Sequence, residues 1–186
     1  MNARFDPARL LQTLHDARVD YVIIGGFAVI AYGVIRTTQD LDICPDPALA
    51  NLERLASVNR HLHAENLGTG DIRPEEFPFD PTDADQLAEG GNFRMQTDLG
   101  VLDVMQWVPG IESEPAYSTL APASVEAQIE QVPVRVCALE HLRLMKRTAG
   151  RPQDLQDLED LAAAQPARAR RLRIRCGGPG ALSLAA

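Results

Sequence analysis

The sequence predicts an α/β (α+β) fold: a small mixed, mainly antiparallel sheet that carries three aspartates and is flanked by helices. Apolar residues recur at helical spacing in several segments, and short β-branched apolar runs lie between them. Two pairs of these runs are close enough in sequence to form hairpins, which favours antiparallel pairing. With 45% hydrophobic residues in a chain of 186, the sequence supports one domain with a substantial core.

The charge distribution divides the chain into an acidic body and a basic end. We predict one domain over residues 1–165, with a core at about 18–110 and a C-terminal hairpin and helices at about 111–165. Residues 166–186 hold five arginines and no acids, and we predict a basic, disordered tail there. Without them 13 basic residues face 26 acidic ones, so the net charge is −13 instead of −8. Such a body repels phosphate backbones but suits carboxylates gathered around metal ions.

Helices and strands alternate in the first part of the chain. Asp6-Pro7 and Asp46-Pro47 each have the pattern of a helix N-cap followed by the first helical residue. A β-branched run ends at Gly25-Gly26, which predicts a strand, a glycine turn and the start of a helix. The predicted elements are helices over 7–18, 27–32 and 47–62 and strands over 21–24 and 41–43.

Residues 67–91 are rich in glycine, proline and acids, and a loop of this length is often functional or mobile. We leave most of this segment unassigned. After it the sequence predicts a hairpin of strands over 92–96 and 101–107, a second hairpin over 125–136, and helices over 139–148 and 152–164.

Two aspartates share one face of a predicted strand. Alternate residues of a strand point the same way, so Asp40 and Asp42 project side by side while Leu41 faces the core. Two neighbouring carboxylates repel each other, and a divalent cation removes that conflict. Asp103 lies in a similar apolar strand context and supplies a third acid. Hard oxygen ligands of this kind indicate Mg²⁺ or Mn²⁺.

Each piece of this pattern has an ordinary structural explanation when it is taken alone. Two acids separated by one residue occur in turns and on solvated edges of acidic proteins. Likewise, Gly25-Gly26 alone is the pattern of a tight turn. The order is more specific: a strand, two glycines, a helix, Arg36-Thr37-Thr38, the Asp40/Asp42 pair on a strand, and an acid on a later strand.

These motifs resemble the nucleotidyltransferase superfamily, which has a DNA polymerase β-like fold. The chain looks closest to the bacterial abortive-infection and toxin–antitoxin branch of that superfamily. The similarity covers most of residues 20–161 and includes the segment 139–161, where a lysine precedes Gly-Arg-x-x-Asp. The matching residues of the first motif are Gly25, Gly26, Gly33, Arg36, Thr38, Asp40 and Asp42.

The resemblance implies metal-dependent transfer of a nucleoside monophosphate group from a nucleoside triphosphate. It assigns catalysis and Mg²⁺ or Mn²⁺ binding to three acids, and nucleotide binding to five other residues. The acids are Asp40, Asp42 and Asp103; the nucleotide-binding residues are Gly25, Gly26, Arg36, Thr38 and Lys146. Gly25-Gly26 departs from the Gly-Ser of many members, so the hydroxyl that meets a phosphate there is absent.

Lys146 is the single lysine beside 17 arginines, and the resemblance places it on the triphosphate. A solvated helix residue is the alternative explanation. For Arg151 and Asp154 the sequence leaves two alternatives open: a structural pair at the start of the last helix, or a functional role.

The resemblance implies either RNA, such as a tRNA 3′ end, or a protein as the acceptor of the nucleotidyl group, together with a cognate toxin or antitoxin partner. The alternatives are an antibiotic-modifying nucleotidyltransferase and a non-catalytic nucleotide-binding partner protein. Three widely spaced cysteines indicate no disulfide framework, and the sequence shows neither a signal peptide nor a membrane span. We therefore expect a cytoplasmic protein without a membrane partner.

Overall fold

The computed structural model describes residues 5–68 and 72–164, together with the backbone of 172–177 and 181–184. Its strands form one mixed sheet, β3-β4-β5-β2-β1-β7-β6-β8-β9, in which most neighbouring pairs are antiparallel. Helices flank this sheet, and the predicted fold class is confirmed.

Every predicted helix and strand is present, and its ends lie within two residues of the prediction. The helices are α1 Pro7–Asp16, α2 Gly25–Ala31, α3 Leu49–His61, α4 Ala84–Ala88, α5 Tyr117–Ala123, α6 Leu139–Ala149 and α7 Pro152–Ala163. The strands are β1 Tyr21–Ile23, β2 Asp40–Pro45, β3 Glu65–Asn66, β4 Asn92–Thr97, β5 Gly100–Met105, β6 Val125–Ile129, β7 Val132–Val136, β8 Leu172–Gly177 and β9 Ala181–Leu184.

Strand β2 occupies the middle of the sheet and carries the predicted acidic pair. It pairs antiparallel with β1 and parallel with β5. Along β2 the residues alternate, so that Leu41 and Ile43 are fully buried in the core while Asp40 and Asp42 are half-buried on the other face. The expected placement of Asp40 and Asp42 on one face is confirmed.

The core lies between the sheet and the apolar faces of the helices. Leu10, Leu11 and Leu14 of α1 are fully buried, as the helical spacing predicts, and so are Leu52 and Leu55 of α3. Full burial of such a side chain contributes roughly 1.5–3 kcal/mol relative to its exposure. This packing covers the face of β2 that carries Leu41 and Ile43, while the face that carries Asp40 and Asp42 stays partly exposed.

The helix starts differ from the prediction in two places. Helix α3 begins at Leu49 rather than at residue 47, because the Asp46 carboxylate accepts the Ala48 N–H at 2.9 Å and closes a turn before the helix. Helix α2 begins at Gly25, two residues earlier than predicted.

Two short helices were not predicted. Helix α4 lies inside the segment left unassigned, where Asp83 caps its first turn. Helix α5 contains Pro122, a residue that argues against helix in a sequence pattern. Residues 69–71 of the long loop lie outside the described residues.

Strands β8 and β9 fall within residues 166–186, for which the sequence predicts disorder, and β8 pairs parallel with β6. The rest of that segment lies outside the described residues, and the domain boundary at residue 165 stays a prediction. In the part of the chain that the structure describes, no helix combines the length and apolarity needed to cross a bilayer.

Candidate active site

A glycine turn holds the carboxylate of Asp42. Gly25 has a φ of +60°, and a Cβ atom there would lie 2.0 Å from Asp42 Oδ2. Glycine is therefore required at this position by both backbone conformation and space. The next residue, Gly26, donates its N–H to Asp42 Oδ2 at 3.3 Å. The turn after β1 thus fixes an acid that lies on the neighbouring strand.

Asp42 and Asp103 lie directly opposite each other across the parallel β2–β5 pair. Burial raises the pKa of Asp42 to about 6, and the nearby charge of Asp40 acts in the same direction. Burial also raises the pKa of Asp103 to about 7, and the charge of Asp42 adds to this effect. Asp42 and Asp103 are therefore held opposite each other at the expense of their own ionisation, which is typical of a functional site.

Arg94 of β4 links two of these acids. Its Nη1 lies 3.0 Å from Asp103 Oδ2, and its Nη2 lies 3.3 Å from Asp40 Oδ2. The charge of Arg94 lowers the pKa of Asp103 but does not overcome the effect of burial. Sequence reasoning missed this residue, although the predicted hairpin register already places position 94 opposite position 103.

The acids have the donor chemistry of a divalent cation site. Asp103 Oδ1 is buried and has no hydrogen-bond partner among the described residues, so this hard oxygen remains free to accept a ligand. Within the described part of the chain, no three acid, histidine or cysteine side chains converge closely enough to enclose a metal. Arg94 contacts Asp40 and Asp103 at the place where a cation would bind them. These carboxylate oxygens are ligands that suit Mg²⁺ or Mn²⁺. The Arg94 guanidinium competes with such a cation for Asp40 and Asp103.

Thr38 lies against the second glycine of the turn. A Cβ atom at Gly26 would be 2.7 Å from Thr38 Oγ1, so the threonine takes the space that a serine at position 26 needs. Thr38 Oγ1 also donates to Asp40 Oδ1 at 3.0 Å. A hydroxyl is therefore present beside the glycine turn even though the sequence has Gly25-Gly26 in place of Gly-Ser.

Lys146 lies in a buried ion-pair network and not on a solvated helix face. Its Nζ is 2.7 Å from Asp154 Oδ1 and 2.8 Å from Asp157 Oδ2. Arg36 contacts both carboxylate oxygens of Asp157 at 2.6 Å, and Arg151 Nε contacts Asp154 Oδ2 at 2.6 Å. The pairing of Arg151 with Asp154 matches the structural alternative considered for it.

The structure thus brings most of the sequence-predicted site residues together. Gly25, Gly26 and Thr38 surround the carboxylates of Asp40 and Asp42, and the Arg36 guanidinium reaches the same turn. Asp154 and Asp157 complete the network around Lys146. The spacing of these two on α7 could have identified them, because residues three apart on a helix share a face.

This geometry belongs to a fold that known nucleotidyltransferases share. A solution structure of the antibiotic-resistance factor ANT(2″)-Ia matches with a TM-score of 0.55 and 14% identity, covering 85% of this chain and 81% of that one. A crystal structure of ANT(2″)-Ia with adenylyl-2″-tobramycin matches with a TM-score of 0.53 and 15% identity, covering 85% and 86%.

A protein from Thermotoga maritima, inferred to be a nucleotidyltransferase, also has this fold. It matches with a TM-score of 0.52 and 13% identity, covering 88% of this chain and 98% of that one. No protein-family model and no curated protein sequence matches the chain. The nucleotidyltransferase fold implied by the resemblance is confirmed, and the abortive-infection branch stays a prediction.

Proposed function

We propose that this protein is a metal-dependent nucleotidyltransferase, which moves a nucleoside monophosphate group from a nucleoside triphosphate to an acceptor hydroxyl. The observation that carries the proposal is the pairing of Asp42 with Asp103, whose buried Oδ1 has no partner among the described residues. Beside that pair lie the glycine turn and the Thr38 hydroxyl, where backbone can approach a polyphosphate closely.

In this mechanism Asp40 and Asp42 would hold Mg²⁺ or Mn²⁺, and Asp103 would bind a second metal ion or act as the general base. A bound divalent ion neutralises charge on the phosphates and on the three carboxylates. Gly25 and Gly26 leave room for the phosphates beside Asp42, while Arg36, Thr38 and Lys146 serve nucleotide binding.

The transfer itself is an in-line displacement at the α-phosphorus. The acceptor oxygen forms a bond to that phosphorus as the bond to the α–β bridging oxygen breaks, and pyrophosphate leaves with the bonding electrons. Asp103 has one of two roles in this step: it binds a second metal ion, or it acts as the general base. As the general base it accepts the proton of the acceptor hydroxyl on Oδ1, which has no partner among the described residues. As a metal ligand it leaves that proton to water.

The acceptor in this proposal is an RNA 3′ end, such as that of tRNA, or a hydroxyl of a partner protein, within a cytoplasmic toxin–antitoxin or phage-defence system. An antibiotic is the alternative acceptor, and the similarity to a protein solved with adenylyl-2″-tobramycin is the observation that favours it. Fold alone does not choose among acceptors.

Release of pyrophosphate tests the reaction class independently of the acceptor. The protein is incubated with each nucleoside triphosphate, bacterial RNA or lysate, and Mg²⁺, Mn²⁺ or a chelator. We expect pyrophosphate only where metal, triphosphate and acceptor are all present. Triphosphate binding without pyrophosphate release from any mixture would instead support a non-catalytic nucleotide-binding partner protein.

A further inference from the structure

A charge network made of two acids and three cations lies beside the predicted active site. Asp154 and Asp157 of α7 are almost completely buried. Lys146 contacts both of them, Arg36 contacts Asp157, and Arg151 contacts Asp154. The five side chains carry a formal excess of one positive charge.

Lys146 is the innermost cation of this network. Its side chain is 8% exposed, and its ammonium lies within 2.8 Å of one oxygen of each aspartate. Burial opposes ionisation of Asp154, yet hydrogen bonds from Arg151 and Lys146 keep its pKa below the usual range. A triphosphate that took Lys146 as its own partner would leave two buried carboxylates without their shared counter-charge.

The two arginines occupy the accessible ends of the same network. Arg151 is 73% exposed, although its Nε is held by Asp154. The Arg36 guanidinium is bound to Asp157 through Nη1, and its Nη2 lies 3.6 Å from the position of a Cβ at Gly26. Arg36 therefore extends from the network to the glycine turn that holds Asp42.

The network meets the three-aspartate site at the glycine turn. Arg36 Nη2 approaches Gly26 there, and the Gly26 N–H holds the Asp42 carboxylate. Burial raises the pKa of Asp103 and the charge of Arg151 partly opposes this, so these two side chains lie within electrostatic range of each other.

Asp154 holds Arg151 at Nε and Nη2, which leaves the Nη1 end of this guanidinium for a phosphate. Arg36 is held at Nε by the Thr37 carbonyl and at Nη1 by Asp157, so its Nη2 is the group that can reach a phosphate.

We propose that Arg36 and Arg151 bind the β- and γ-phosphates of the nucleoside triphosphate, and that Lys146 is a positioning residue. Lys146 neutralises Asp154 and Asp157, and these two carboxylates aim the arginines at the phosphates. This proposal rests on the proposed function, because it concerns the triphosphate of that reaction. It reassigns the direct contact from the lysine to a pair of arginines.

Inorganic tripolyphosphate with Mg²⁺ is a suitable probe. It has no base, so the unknown base preference of the protein does not affect its binding. Calorimetry compares the wild type, Arg151→Gln and the control Arg147→Gln, which removes the same charge from an exposed position on α6. We expect Arg151→Gln to weaken binding about tenfold or more, since it removes a charge-assisted hydrogen bond. Arg147→Gln should remain within about twofold of the wild type. Equal affinities of the two variants would overturn the role of Arg151 while leaving the proposed function intact.

A rescue experiment tests the role of Lys146. Lys146→Met should weaken tripolyphosphate binding. Without the ammonium, Asp154 has Arg151 as its remaining cation and binds it more strongly, so that Arg151 is less able to bind a phosphate. The double variant Lys146→Met/Asp154→Asn removes the ammonium and one carboxylate charge together, and its amide oxygen can still accept the Arg151 Nε–H that Asp154 accepts. We therefore expect it to regain affinity to within about threefold of the wild type. A double variant as defective as Lys146→Met alone would show that Lys146 contacts the phosphates itself. Failure of the wild type to bind either tripolyphosphate or any nucleoside triphosphate would instead overturn the proposed function.

Discussion

At the level of single residues, the placement of Asp42 and Asp103 lowers the stability of the metal-free protein at neutral pH. Asp42 and Asp103 have folded-state pKa values of about 6 and 7, raised first by burial and then by neighbouring carboxylates. In an unfolded chain an aspartate titrates near pH 3.9. The folded protein therefore binds more protons than the unfolded chain at intermediate pH, and its stability falls as pH rises through that range.

This linkage predicts a pH-dependent melting temperature in the presence of a chelator. We expect a higher Tm near pH 5 than near pH 8, and a smaller difference in Asp42→Asn and Asp103→Asn, because neither amide takes up a proton. Glu53→Gln, a charge change at an exposed position of α3, serves as the control. Thermal unfolding of the four proteins at both pH values checks this. The same pH dependence in all four would contradict the assignment of these raised pKa values.

Arg94 leads to a prediction about metal affinity. Its guanidinium contacts Asp40 and Asp103, so it competes with a cation for two of the three carboxylates. We expect Arg94→Gln to bind Mn²⁺ several-fold more tightly than the wild type, because one positive charge leaves the site. Titration followed by calorimetry measures this, with Arg60→Gln, an exposed change on α3, as the control. Weaker Mn²⁺ binding in Arg94→Gln would show that Arg94 orders the carboxylates rather than competing for them.

At the scale of helices and strands, local patterns predicted the elements that carry the acids. The alternation in β2 placed Asp40 and Asp42 on one face, and the turn at 97–100 fixed the hairpin that carries Asp103. The pairing of β2 with β5 is parallel and long-range, so the sequence could suggest that the acids meet but not their register. That register sets Asp42 against Asp103.

The ion-pair network around Lys146 could not be predicted from the sequence either, because some of its residues are far apart in the chain. Arg36 lies before β2 and Asp157 lies on α7, more than 100 residues later in the chain. A pattern along one element cannot show that such distant residues share a counter-ion. Helix α5 was missed for a different reason, since Pro122 marks a break in any pattern and here sits inside the last turn of a short helix.

The ion pairs of Asp157 attach α7 to the rest of the molecule, and their loss should lower its stability. Asp157 is fully buried and neutralises Arg36 and Lys146, so Asp157→Asn leaves partly buried positive charges without their partner. We expect the free energy of unfolding to fall by about 3–5 kcal/mol, as when other buried ion pairs are broken. Urea unfolding measures this against Glu159→Gln, an exposed charge change on the same helix. Equal effects of the two substitutions would mean that the network does not secure α7.

In the molecule as a whole, the acidic body and the arginine-rich end have opposite electrostatic effects on nucleic-acid binding. The body repels phosphate backbones, while residues 166–186 bring five arginines. If RNA is the acceptor, these arginines steer it, and their replacement by glutamine should weaken RNA binding. Each arginine that no longer neutralises a phosphate should also reduce the log–log salt slope by about one, to a limit of about five. Gel-shift assays at low and high salt check this, and an unchanged slope would exclude the arginines from RNA binding.

The proposed function requires that this fold and its three acids carry out nucleotidyl transfer. The most direct measurement is the transfer of label from each α-labelled nucleoside triphosphate into the RNA, protein and small-molecule fractions of bacterial lysate, with Mg²⁺. The wild type, Asp42→Asn and the control Asp98→Asn are compared after each is shown to be folded. We predict that the wild type and Asp98→Asn label one fraction, and that Asp42→Asn is slower by about a hundredfold or more, because the metal is deprived of a charged ligand. Folded Asp42→Asn protein that labels the same fraction at the wild-type rate would show that Asp42 does not hold the catalytic metal.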